Sequence, residues 1–187
     1  MGMWSILGII ALIVFVMIIL YNRLVALRQT RNNAFSDIDV QLKQRYNLVP
    51  QLVEAVKGYA SHEKGVFENV TNARAQVGAA KGATGERVQA ENVLGGALMN
   101  LLAVAENYPD LKADTNFRQL MSELSDIENK IAAARRFFNN ATSEYNTATE
   151  QFPAVLIANS FGFQKESFFE LDEAEAEMVK KAPEVKF

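Results

Sequence analysis

Hydrophobic and polar positions alternate along this chain with a helical period almost throughout, and the main exception is its first stretch. No charged side chain occurs from Met1 to Asn22, and the apolar run Ile6 to Leu20 is broken only by Gly8 and Ala11. Such a run reads as a membrane-spanning helix: about 20 apolar residues rising about 1.5 Å each cross the roughly 30 Å hydrocarbon layer. Met3 and Trp4 open the span and Leu20 and Tyr21 close it, which puts an amphipathic ring at each headgroup level. A cleaved signal peptide fits less well, because no Lys or Arg precedes the run and no small-residue cleavage site follows it.

Beyond the span the 3–4 spacing of an amphipathic helix takes over. Ile38, Leu42, Arg45, Val49, Leu52, Val56, Tyr59, Glu63, Val66, Val70, Ala73 and Val77 form one seam, interrupted only by Arg45 and Glu63. Leu24, Leu27, Arg31 and Ala34 extend it back toward the membrane with one slip of register. No Gly or Pro lies between Tyr21 and Leu48, so the anchor is expected to run directly into this helix. A second seam joins Phe117, Leu120, Leu124, Ile127, Ile131, Ala134, Phe138, Ala141, Tyr145, Ala148 and Phe152, with Asp114 or Asn116 as its cap and Phe152-Pro153 as its end. Between them Val88 to Asn107 carries Leu94, Leu98, Leu101 and Ala105 on one face, bounded by turns at Gly78–Gly85 and Tyr108–Asp110. A short fourth helix is expected after Pro153, ending near Gly162.

The expected fold is therefore all-α: an N-terminal transmembrane helix continuing into a long helix of an antiparallel up-down bundle, with three long helices and a short fourth. The domains would be an anchor over 1–22, the bundle over 23–165 and an acidic tail over 166–187. The first helix would run about 54 residues, or about 80 Å, beyond the membrane while the second covers only about 30 Å. The uncovered length argues for other copies of the chain and hence a homo-oligomer.

Composition narrows the chemistry. Among 187 residues there is no Cys and one His, so thiolate metal sites, cysteine nucleophiles and histidine cages are excluded. A net charge of −3 argues against a nucleic-acid partner. His62 has no Glu three residues before it, so the di-iron site of helical bundles cannot be built. The Gly-rich turn lacks the Gly-Lys-Ser/Thr of a phosphate loop. No cofactor is expected, and a carboxylate-only enzyme is the remote alternative to a non-enzymatic protein.

Several runs nonetheless carry a resemblance. Arg31–Ala34, Asp37–Pro50, Leu52-Val53, Glu106–Ala113, Glu128–Arg136 and Phe152-Pro153 together resemble the signature of the LemA family. One departure is Phe138, where the family pattern has Tyr. The resemblance implies a bacterial membrane protein with one N-terminal helix, a tiny external N-terminus and a cytoplasmic helical bundle, and it brings no catalytic or ligand residues. Charge asymmetry gives the same orientation: Arg23, Arg28 and Arg31 follow the span before the first acidic residue, Asp37. The expected location is the inner membrane, single-pass.

Four features invite a functional reading. Pro50 inside the first helix frees the carbonyl of Tyr46, either as a hinge or as a fixed bend, with Asn47 placed to satisfy that carbonyl. Arg31, Arg45 and Glu63 on the seam form an interhelical network with Glu123 or Glu128, or else cover the seam edge with their stems. Arg135-Arg136 reads as a solvated or ion-paired face. Phe161, Phe163, Phe168 and Phe169, with Phe152, form either an interfacial or partner-binding patch or a core that closes the bundle against the first helix. The leading expectation is a self-assembling scaffold or adaptor whose partners are the lipid bilayer, further copies and another membrane protein. The alternative is a signalling relay through the kinked helix.

Overall fold

A computed structural model describes residues 2–80 and 85–169. Among them are six helices and no strand: α1 Gly2–Lys57, α2 Lys64–Ala79, α3 Gly85–Ala105, α4 Pro109–Ala113, α5 Thr115–Glu150 and α6 Ala154–Phe161. Most of the tail expected from residue 166, and part of the Gly-rich turn, lie outside the described residues. The chain forms two compact units, and α1 and α5 each contribute to both. One unit is built from Met1–Ile38 with Ala133–Phe168, and the other from Asp39–Ala132 together with Phe169.

In the first unit α1 begins as a bare apolar helix, exposed on all sides from Gly2 to Ile19. Its hydrophobic run is long enough to cross a bilayer, and none of it is buried by the rest of the chain. Burial starts where the charges start. Leu24, Tyr145, Ala148, Ile157, Ala158 and Phe163 make one core, with Leu20, Val25 and Leu27 packed against it. Short α6 enters this core by Ile157 and Ala158 and stops at Gly162, whose φ of 72° is a left-handed conformation that glycine adopts without a Cβ clash.

The second unit corrects the long first helix. The seam residues Leu42, Arg45, Val49, Leu52 and Val56 are buried as expected, and so are Val70, Ala73 and Val77; Ile38, on the same seam, is buried in the first unit. The helix between them is not continuous. It ends at Lys57, and the chain turns through Gly58 to Glu63 before α2 begins. Gly58 is the poorest helix former on that stretch, and the buried Ala60 draws the backbone inward while Tyr59 is exposed. The extension that left a long uncovered helix, and with it the length argument for self-association, falls away. Helix α2 packs on α3, whose buried face includes Leu94, Leu98, Leu101 and Ala105. Helix α3 is also long and apolar enough to span a membrane, and a third of its apolar window is buried inside the protein.

Helix α5 follows its seam closely. All the expected positions from Phe117 to Ala148 are buried except Ala134, which is half-buried. Phe152 lies past the helix end and is 81% exposed. Of the two candidate caps, Asp114 is the one used: its Oδ1 accepts the N–H of Phe117 at 2.8 Å. Asp114→Ala should therefore lower stability by about 1 kcal/mol in denaturant unfolding of the detergent-solubilised chain. Asn116→Ala should leave the midpoint unchanged.

Candidate functional site: a buried charge cluster and an aromatic cluster

Arg45 lies on the buried stripe of α1, 3% exposed, and an unpaired guanidinium there would be costly. It forks between two carboxylates. Nη2–H donates to Glu91 Oε2 at 2.7 Å and to the Glu91 carbonyl at 3.2 Å, and Nη1–H donates to Glu128 Oε1 at 2.9 Å. Glu91 is fully buried, and its other oxygen accepts from Arg87 Nε at 2.9 Å; Arg87 in turn reaches Asp39 at 3.1 Å. Burial by itself lowers the pKa of Arg45, but Glu128 and Glu91 outweigh it and hold the guanidinium above its ordinary value. The network expected around Arg45 thus exists, with Glu128 as anticipated. Glu91 and Arg87 are additions. They share the α3 stripe with Leu94, at the 3–4 spacing that marked the core, so a charge at a core position was the available signal.

The kink region is in the same unit. Pro50 has no N–H for the carbonyl of Tyr46, and the donor that takes this oxygen is Arg74 Nε on α2, at 3.1 Å. Asn47 is exposed instead. The Arg74 guanidinium also stacks 3.9 Å from the Tyr46 ring centroid, and α2 comes so near that a Cβ on Gly78 would meet the Tyr46 hydroxyl at 3.2 Å. Proline, tyrosine, arginine and glycine therefore form one clasp between α1 and α2. A shallow groove of about 480 Å³ between α2 and α3 is lined by Asn69, Asn72, Gln76 and Asn100, with no charged group among its lining residues.

In the first unit Arg31 is buried as well, but its partners differ from those expected. It bonds the Ser167 carbonyl at 3.2 Å, pairs with Glu166 at 3.3 Å and lies 4.8 Å over the ring of Phe138. Glu63 is half-buried at the start of α2 and makes no side-chain cap. His62 is exposed, and no cluster of three metal-ligating side chains occurs among the described residues. Tyr145 lies nearby; burial raises its phenol pKa, with Arg28 and Arg31 opposing and Glu166 reinforcing the shift.

The phenylalanines divide. Phe163 and Phe169 are buried, whereas Phe161 and Phe168 are exposed. Tyr21, at the end of the apolar run, meets Phe161 edge-on at 5.0 Å and Phe163 at 5.6 Å. Arg28 caps the ring of Phe163 at 4.8 Å. These rings cluster against α1 at the end of the apolar run that Met3, Trp4, Leu20 and Tyr21 delimit. Met3 and Trp4 are exposed at the other end, and Leu20 is partly covered by the core of this unit.

Comparison with known proteins places this geometry in context. The model of the LemA family matches residues 34–187. Magnetosome protein MamQ of Magnetospirillum gryphiswaldense is 25% identical over 189 aligned positions, covering 87% of this chain and 70% of that protein. Magnetosome protein MamQ 2 of Paramagnetospirillum magneticum is 25% identical, with 89% and 70% covered. Protein LemA of Metamycoplasma hominis is 24% identical over 154 positions, with 82% and 70% covered.

Two stability measurements test the clusters. Glu91→Ala removes the fully buried carboxylate that Arg45 and Arg87 share and should cost about 3–5 kcal/mol, against about 1 kcal/mol or less for Glu128→Ala, whose side chain is half in water. In a double-mutant cycle, Arg74→Leu should cost about 1–2 kcal/mol more with Pro50 present than in the Pro50→Ala background, where the restored N–H claims the Tyr46 carbonyl.

Proposed function

The chain belongs to the LemA family, and we propose that it serves as a membrane-tethered helical scaffold without catalytic activity of its own. The observation that carries this reading is α1. One unbroken helix contains both an apolar segment with no protein cover and the buried stripe of the packed units. A ligand or partner held by either unit is thereby tethered to the bilayer through α1, which contributes residues to both. The relatives named as magnetosome proteins support an assignment to a membrane-associated setting. The basic residues Arg23, Arg28 and Arg31 support an orientation with the N-terminus outside and the packed units in the cytoplasm, at the inner membrane.

The relay alternative draws less support. A hinge at Pro50 needs a freed carbonyl that can exchange partners, whereas the Tyr46 carbonyl is claimed by Arg74 and the Tyr46 ring is clasped from α2. A scaffold needs surface for its partners, and Met99 on α3 and Phe137 on α5 are large hydrophobics left more than half exposed.

Two experiments test the reading. In intact cells a membrane-impermeant maleimide should label Gly2→Cys and spare Asn33→Cys; the reverse pattern would invert the topology. Photocrosslinkers at Met99 and Phe137 should each capture a second copy or another membrane protein. Correctly inserted protein that captures nothing from either position would end the scaffold proposal.

A further inference from the structure

The surface that α6 presents to its surroundings is uncharged and rich in large apolar side chains. No charged residue occurs between Glu150 and Lys165, although 22% of all residues are charged. Those two flanking residues neutralise each other in an ion pair at 2.7 Å. Within the uncharged segment Phe152 is 81% exposed, Leu156 59% and Phe161 58%, while Ile157 and Ala158 are turned into the core. Three large apolar side chains are thus left in the open on one short element and its approach. Water is a poor environment for such a group.

Its position says what covers it. The core that receives α6 is made with Leu20, Leu24 and Val25 of α1, and Phe161 rests directly on Tyr21. These are the first residues past the bare apolar run, the level at which a spanning helix leaves hydrocarbon. From there the chain moves away along α1: the Phe163 ring touches both Tyr21 and Arg28, and Ser167 is at Arg31, about 15 Å along α1 from Tyr21 at 1.5 Å per residue. The exposed apolar residues are therefore at the membrane end of the unit, contiguous with the segment that must itself be in lipid. Asn159 and Ser160, also exposed, supply the hydrogen-bonding groups that a headgroup layer accepts, which suits an element lying at the boundary rather than within the acyl chains.

We propose that α6 is an interfacial helix, seated in the headgroup–acyl boundary of the bilayer through Phe152, Leu156 and Phe161. The proposal rests on the reading of α1 as a membrane anchor. With two attachments, one spanning and one lying in the surface, the first unit is fixed in rotation about α1 as well as in depth.

The test uses the full chain, free of native cysteine, in vesicles of phosphatidylcholine and phosphatidylglycerol. Single nitroxides are placed at Ile10→Cys, Asn33→Cys, Leu156→Cys and Phe161→Cys, and accessibility to oxygen is compared with accessibility to a water-soluble nickel chelate. Oxygen-to-nickel ratios at 156 and 161 should be several-fold above that at 33 and approach that at 10. If 10 reads as lipid while 156 and 161 read like 33, the interfacial seat is wrong and the anchor stands. If 10 itself reads as water, the anchor reading fails too. Labels at 156 and 161 that are shielded from both reagents and broadened by a neighbouring spin would assign the patch to a second copy and overturn the lipid seat.

Discussion

The hydrocarbon layer tolerates no unsatisfied backbone polar group, so the apolar start of this chain has one way to exist there, a helix. The helix does not end where the apolar run ends: α1 continues to Lys57, with one hydrogen-bond rung missing at Pro50. Leu24 and Arg31 serve one unit, and Leu42, Arg45 and Leu52 serve the other. Even Pro50, which removes one rung, is accommodated because Arg74 accepts the task of satisfying the orphaned carbonyl.

Both units use buried arginine in the same way. Arg31 and Arg45 occupy core positions on α1, and each is neutralised by a carboxylate from a segment distant in sequence. Such pairs add little net stability over a hydrophobic pair of the same volume, but they penalise every misaligned packing, in which a charge would be left dry and alone. A chain made almost wholly of repeating 3–4 seams has many near-equivalent registers, and a fixed charge on the seam discriminates among them.

Much of this was legible from periodicity, and the failures are instructive. The seams on α1, α3 and α5 named the core almost residue by residue, because burial on one face is what the period encodes. The break at Gly58–Glu63 was invisible since Val56 and Val66 remain in phase across it; spacing cannot distinguish a continued helix from a turn that preserves phase. Arg74 could not be foreseen because its role depends on which helix lies against Tyr46. Glu91 was not singled out, because the apolar face of α3 was read from Leu94 onward and a carboxylate one turn earlier carries no hydrophobic signal. Phe152 extended a flawless pattern past the helix end, where the pattern no longer refers to a helix face.

The segment after α6 is held in an unusual manner. Asn146 both donates to the Glu166 carbonyl and accepts the Glu166 N–H, each at 2.9 Å, so a side-chain amide substitutes for the edge of a β-strand. Because it grips main chain, the clasp does not depend on which side chain residue 166 carries, and the Glu166 carboxylate is left to pair with Arg31. The exposed Gln164 beside it takes no part in the grip, so substitution there rewrites the surface of the strap while the buckle stays constant.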